Sequence, residues 1–339
     1  MAGIVLPAEW FPQSGVQVTW PHDGTDWRDM LEEVTSCYVA FSKEILKREK
    51  LLVVAPPSHN VRHYFTEEEQ HNLLCVEVES NDTWARDHGA ITVFDGEQRT
   101  LIDFGFNAWG LKFAAHYDNQ ISGHLFRAGV FQSGTTYQNR LNFILEGGSI
   151  ESDGKGTLLT TSCLLAPNRN QPMTRQEIDH YLKRTLGAER VLWLNHGYLA
   201  GDDTDSHIDT LARFCDEETI AYVKCDDEND EHFSELQAME AELKTFLAHN
   251  GKPYRLIPLP MAEPVFEAGQ RLPATYANFL IINNAVLLPY YGTDKDEVAK
   301  QLLQEAFPTR EIVGIDCRPL IKQHGSLHCV TMQFPEGVI

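Results

Sequence analysis

LNFILEGGSIESDGKGTLLTTSC, residues 141–163, is two strand-like runs folded about Asp153-Gly154. Asp-Gly suits the backbone of a tight hairpin turn, and the apolar runs on either side supply the strands. Downstream the period changes: residues 174–186 read as a helix, and VLWLN at 191–195 as another strand. Working outward, helix-then-strand recurs near 27–55, 174–195, 235–259 and 295–315. Hairpins lie between, AITVF with TLIDFGF about Asp95-Gly96 and NFLIINNAVLLPYY about Asn283-Asn284. Asp26 is expected to cap the first helix, and Ser234 with Gln237 to form a capping box for the third, with Gly251 as its stop. No linker rich in Pro, Gly or Ser interrupts the series. The chain reads as one α/β domain of repeated modules, residues 1–339.

Polar knots punctuate these modules: NDTWARDHG at 81–89, EGGSI at 146–150, DTDSHID at 203–209 and QHGSLHCVTMQFP at 323–335. Asp87 to Glu146 is 59 residues, Glu146 to His207 is 61, His207 to Asn278 is 71 and Asn278 to Cys329 is 51. A module of about 60 residues that brings one loop to a common centre would give this spacing; so would a chance spread of polar loops. The last knot reads as the final strand, with Cys329 on it.

Composition sets limits. The 28 Lys+Arg against 49 Asp+Glu leave a net charge of −21, the wrong sign for a nucleic-acid binder and the right one for drawing in small cations. Seven cysteines with no C-x-x-C pair are neither a disulfide framework nor a zinc ribbon, and imply a reducing, cytoplasmic setting. The start, MAGIVLPAEWFP, lacks the basic and apolar segments of a signal peptide. No run approaches the length of a membrane span. A homodimer or higher homo-oligomer stays open.

Cys329 and His207 offer a nucleophile and a proton carrier. Alone, Cys329 reads equally as an inert buried thiol. The carboxylates add information. Asp87, Glu146 and Asp209 would repel one another if gathered in a dry site, unless a cation sat among them. A guanidinium presents a planar fork of donors that matches carboxylates, and Trp84 could cover one of its faces. Each residue also has an ordinary reading: Asp87 as a loop salt bridge with Arg86, Glu146-Gly147-Gly148 as a turn, His207 and Asp209 as a strand edge. His324, His328 and Cys329 with Asp205 or His207 could ligate a metal, but Gly325 and the β-branched neighbours do not suit the helix that this spacing needs.

Taken together, PAEWFPQSGVQVTWP (7–21), NDTWARDHGAI (81–91), LEGGSIESDGKGTLLTT (145–161), SHIDTLARF (206–214), TYANFLIINNAVLLPYYG (275–292) and GSLHCVTMQFP (325–335) resemble the agmatine deiminases and bacterial-type peptidylarginine deiminases of the guanidine-modifying superfamily. The resemblance implies an α/β fold, specifically a five-bladed α/β propeller of ββαβ-type modules with pseudo-fivefold symmetry. It implies hydrolysis of a small guanidine, agmatine foremost, through a covalent thiouronium. Cys329 would be the nucleophile, His207 the general acid–base, Asp87 and Asp209 the guanidinium clamps, and Glu146 would orient near His207. Trp84 would line the pocket, Asn278 would contact substrate, and no metal or organic cofactor is implied. Gln323 and His324 stand where many agmatine deiminases have a longer glycine run, which bears on the distal end of the substrate. Other readings are a peptidylarginine or other guanidine deiminase, a cysteine-dependent acyl or amide hydrolase, and a non-catalytic polyamine-binding protein. If the substrate is a guanidinium held by carboxylates, Asp209→Asn should collapse turnover while folding persists or even improves.

Overall fold

A computed structural model of the chain describes residues 3–339; Met1 and Ala2, part of the segment judged for a signal peptide, lie outside the described residues. The fold is mixed α/β. Five sheets repeat one plan: an antiparallel strand pair, then a helix, then a third strand parallel to the second. In the unit that the opening motif belongs to, Ile150–Ser152 pairs antiparallel with Thr157–Thr161, helix Arg175–Leu186 follows, and Arg190–Leu194 returns parallel to Thr157–Thr161. The helix starts because Thr174 accepts from Glu177 N while the Glu177 carboxylate accepts from Thr174 N. It stops at Gly187, whose φ of 73° is open to glycine at little strain.

The sequence predicts four helix-to-strand steps; the structure has five. Helix Asp118–Arg127 was not foreseen, and it joins Gln98–Gly105 to the parallel strand Thr136–Ile144. Its segment, DNQISGHLFR, buries apolar side chains only at Ile121 and Leu125 and contains Gly123, so little helical periodicity shows. LNFI is correspondingly the end of that unit's third strand, not the first strand of the next. Neither expected cap is present. The first long helix, Leu31–Leu46, begins after Met30, and Phe233–Leu243 begins after His232 with no side-chain cap. Gly251 does take a positive φ.

One unit is built from both ends of the chain. Thr331–Pro335 pairs antiparallel with Gln13–Thr19, which runs parallel to Lys50–Ala55 through helix Leu31–Leu46. The largest apolar cluster joins Val16, Val18, Phe41 and Val53 of this unit to Leu280, Leu287 and Ile312 of its neighbour. Among the described residues, no helix is long and apolar enough to cross a membrane.

Candidate active site

Each of the five units delivers polar side chains just ahead of its first strand. Cys329 lies in the turn before Thr331–Pro335, Asp87 in the one-turn helix Ala85–His88 before Ile91–Asp95, and Glu146 before Ile150–Ser152. His207 and Asp209 precede Ala212–Phe214, and Asn278 precedes Leu280–Ile282. The spacing of about 60 residues is therefore one delivery per unit. Cys329 is not on a strand, as the sequence suggested, but in a tethered turn. The backbone N of Arg86 donates to Cys329 O at 3.1 Å, and the N–H groups of His328 and Cys329 donate to Asn278 Oδ1 at 2.9 and 3.4 Å.

The expected residues meet. Cys329 Sγ lies 3.4 Å from Asn278 Oδ1 and 3.8 Å from Asp209 Oδ2. His207 Nδ1 is 3.7 Å from Asp87 Oδ1, and its Nε2 is 4.0 Å from Glu146 Oε2. Gly148 marks the centre of convergence. A Cβ there would stand 2.8 Å from His207 Nδ1, 2.9 Å from Asp87 Oδ1 and 3.0 Å from Asp209 Oδ2. All three groups are buried, so none can retreat into solvent. Gly148→Ala is expected to lower turnover at least about tenfold and to destabilise the fold by about 1–3 kcal/mol, the usual range for overpacking; steady-state kinetics and urea unfolding measure both.

Several buried atoms here lack a hydrogen-bond partner within the described residues: His207 Nδ1 and Nε2, and Asp209 Oδ1. Buried polar groups are nearly always paired, so such atoms gathered at one point are free to bond a bound polar group. Asn278, expected to contact substrate, bonds with its amide to the protein at two places. It holds the Cys329 turn through Oδ1, and its Nδ2 donates to Asp209 O at 3.2 Å.

Five contributors were missed in the sequence. Trp109 Nε1 donates to Asp87 Oδ2 at 2.9 Å, from a run in which Ala108, Trp109, Gly110 and Leu111 all have positive φ. Asn107 steadies that run by accepting from Gly110 N. Arg169 Nε donates to Glu146 Oε1 at 3.0 Å, so this carboxylate already has its cation. Arg213, in the stretch SHIDTLARF, and Glu9, in PAEWFP, pair at 2.9 Å behind the site. Only Arg213 left a signal, a charge within an apolar strand, which demands a buried partner. Trp84 lies where expected. It lines the pocket with Cys329, and a Cβ on Gly325 would meet its ring at 2.1 Å, so glycine is required there.

The two clamp candidates are shifted in opposite directions. Burial pushes the Asp87 carboxyl up to about 6; His207 works against this, while Asp209 and Glu146 add to it. Burial also presses Asp209 upward, but His328 and His207 outweigh it and leave Asp209 below the usual carboxylate range. Burial, then the Asp209 and Asp87 carboxylates, push the Cys329 thiol well above its ordinary value.

Above the thiol the pocket opens between Trp84, Trp109 and Phe113, and Asp26, Asp82 and Asp203 also line it. Among the described residues lining it, none is Lys or Arg. Asp82 accepts from Trp84 Nε1 at 3.0 Å, and burial with Asp26 and Asp118 nearby pushes its carboxyl up to about 7.

This chain is similar along its whole length to proteins of known name. A Porphyromonas gingivalis protein provisionally assigned as an arginine deiminase shares 56% identity with a TM-score of 0.96, each chain 99% covered. The substrate-bound cysteine-to-serine form of the C. jejuni agmatine deiminase shares 38% identity with a TM-score of 0.90, over 99% of this chain and 97% of that one. A Vibrio parahaemolyticus protein provisionally named an agmatine deiminase is 34% identical over 98% of this chain and 97% of its own length. More distantly, a DDAH of Pseudomonas aeruginosa shares the fold, with 11% identity, a TM-score of 0.51 and coverage of 96% of this chain and 100% of that one. The sequence profile of one family matches residues 5–335, and the chain belongs to it: the Porphyromonas-type peptidyl-arginine deiminase family.

Proposed function

We propose that the chain hydrolyses agmatine to N-carbamoylputrescine and ammonia through a covalent intermediate on Cys329. Asp87 and Asp209 hold the guanidinium nitrogens and Trp84 covers the group. The Cys329 thiolate forms a bond to the central carbon, and His207 protonates the departing nitrogen, which leaves as ammonia. His207 then takes a proton from water, whose oxygen attacks the thiouronium, and the C–S bond breaks to release the ureido product. Glu146, fixed by Arg169, orients His207. The same reading takes the five sheets as blades of a five-bladed α/β propeller in a single domain, which the union of both chain ends in one sheet supports. The seven unpaired cysteines suit the cytoplasm.

The observation that carries agmatine is carboxylate at both ends of the pocket. Asp87 and Asp209 flank the thiol, while Asp82, Asp26 and Asp203 line the outer part, with no Lys or Arg among the described lining residues to receive an α-carboxylate. Agmatine is positive at both ends. Free arginine is the second reading, favoured by the name of the 56% identical P. gingivalis protein. A panel of agmatine, arginine and short arginine peptides, assayed for ureido product, decides between them; silence with all of these guanidines would remove the deiminase reading. Asp82→Asn should raise KM for agmatine roughly tenfold or more, the worth of about one charge-assisted hydrogen bond, and leave KM for propylguanidine, which lacks the distal amine, unchanged.

A further inference from the structure

His328 precedes the nucleophile and is 1% exposed. Its Nδ1 lies 2.7 Å from Asp209 Oδ2 and its Nε2 lies 2.7 Å from Glu9 Oε2. An ionised carboxylate only accepts, and a neutral imidazole has one N–H and one lone pair. With a neutral ring, one of these two contacts would set lone pair against lone pair. Two protons are needed for two contacts, on the ring or on a carboxyl.

The surroundings place them on the ring. Glu9 also accepts from Arg213 Nη2 at 2.9 Å and, through Oε1, from Ile281 N at 2.7 Å, so its carboxylate is fully engaged as an acceptor. Burial raises both carboxyls, but Arg213 and His328 bring Glu9, and His328 and His207 bring Asp209, below the ordinary carboxylate range. The charged groups around the ring are Asp209, Glu9, Glu151, Arg86 and Arg213. Arg213 pairs with Glu151 through Nε, and Arg86 Nη2 stands 3.7 Å from Glu9. Burial raises Glu151, but its two oxygens accept from Arg213 Nε and Phe214 N, which keeps it a carboxylate; two guanidiniums against three carboxylates then leave one negative charge buried, and a protonated His328 closes the balance.

We infer that His328 is a resident imidazolium and a positioning residue, which clamps Asp209 so that Oδ1 faces the guanidinium and offsets its charge beside the thiol. The arrangement ties the nucleophile's turn to Glu9, 319 residues away in the chain. It rests on the proposed deiminase reading only for its turnover readout.

The first test needs no substrate. In chain labelled with ¹⁵N-histidine, one imidazole should keep both ring nitrogens protonated at pH 8, where an ordinary histidine is neutral. That signal is assigned by its loss in His328→Gln or, should that chain not fold, by its shift in Glu9→Gln. A neutral tautomer for His328 at pH 8 overturns the inference. In His328→Gln, alkylation of Cys329 by iodoacetamide at pH 8, followed by mass spectrometry, should slow about tenfold, because Asp209 then faces the thiol without its counter-charge. An unchanged rate overturns it. With agmatine, His328→Gln should lower kcat about 100-fold, and adding Asp209→Asn should cost less than about a further tenfold, because both act through one carboxylate. Multiplicative losses from the two substitutions overturn the positioning role.

Discussion

Cys329→Ala is expected to reduce agmatine turnover by a factor on the order of 10⁴ or more, the scale of losing a covalent nucleophile. No other thiol can substitute. Cys329 is the one cysteine among the described residues lining the pocket, and burial pushes Cys163, for one, up to about 12. Folding should change little, since removing one buried sulfur forfeits about 1 kcal/mol. The wild-type pH profile carries the same chemistry. In the free protein, burial and the Asp209 and Asp87 carboxylates hold the thiol protonated. A bound guanidinium between those carboxylates neutralises the repulsion and lowers the thiol's pKa in the complex. The rise of kcat/KM with pH should therefore lie at higher pH than the rise of kcat. Coincident limbs, or turnover surviving in Cys329→Ala, would contradict the thiol mechanism.

Asp87→Asn and Asp209→Asn should each lower turnover about 100-fold or more, as expected when a buried charged contact to the reacting group is lost, yet move stability in opposite directions. Asp87 has a folded pKa raised to about 6, so its contribution to stability is fully present below the unfolded value and is lost as pH rises through 6. At pH 8 its charge opposes folding by roughly 2–3 kcal/mol, from about two pKa units at 1.4 kcal/mol each. Asparagine removes that penalty. It also leaves Gly148 N–H or Trp109 Nε1–H without an acceptor, which returns about 1 kcal/mol. The unfolding midpoint should rise at pH 8 and the gain should vanish by pH 4. Asp209 has a depressed pKa, so its contribution is present above the unfolded value and is lost only as pH falls through the folded one. Asp209→Asn should therefore destabilise at pH 8 by weakening the clamp with His328. This departs from the expectation from sequence that folding would persist or improve without the Asp209 charge. Thermal unfolding of both variants at pH 8 and pH 4 reads the difference; equal shifts would refute the assignment.

Much of the chemistry was legible in the chain. Turn dipeptides and apolar periods are local, so the hairpins at Asp95-Gly96, Asp153-Gly154 and Asn283-Asn284 and most helices could be read directly. The regular placement of Asp87, Glu146, His207 and Cys329 also survives as one delivery per unit. What stayed hidden depends on residues far apart in sequence. The helix Asp118–Arg127 carries too few apolar residues to show a period and is held by the sheet beneath it. Trp109 reaches Asp87 only because four consecutive residues take left-handed backbone.

Residue types and the resemblance of six motifs thus pointed to the reaction class, with a thiol, an imidazole and carboxylates expected about a flat cation. Only the tertiary structure decided which carboxylate is strained, which is clamped, and which cations already serve the protein. A pKa is set by burial and by charges within a few ångströms, and here those come from five loops and both chain ends. No local stretch of sequence contains that sum.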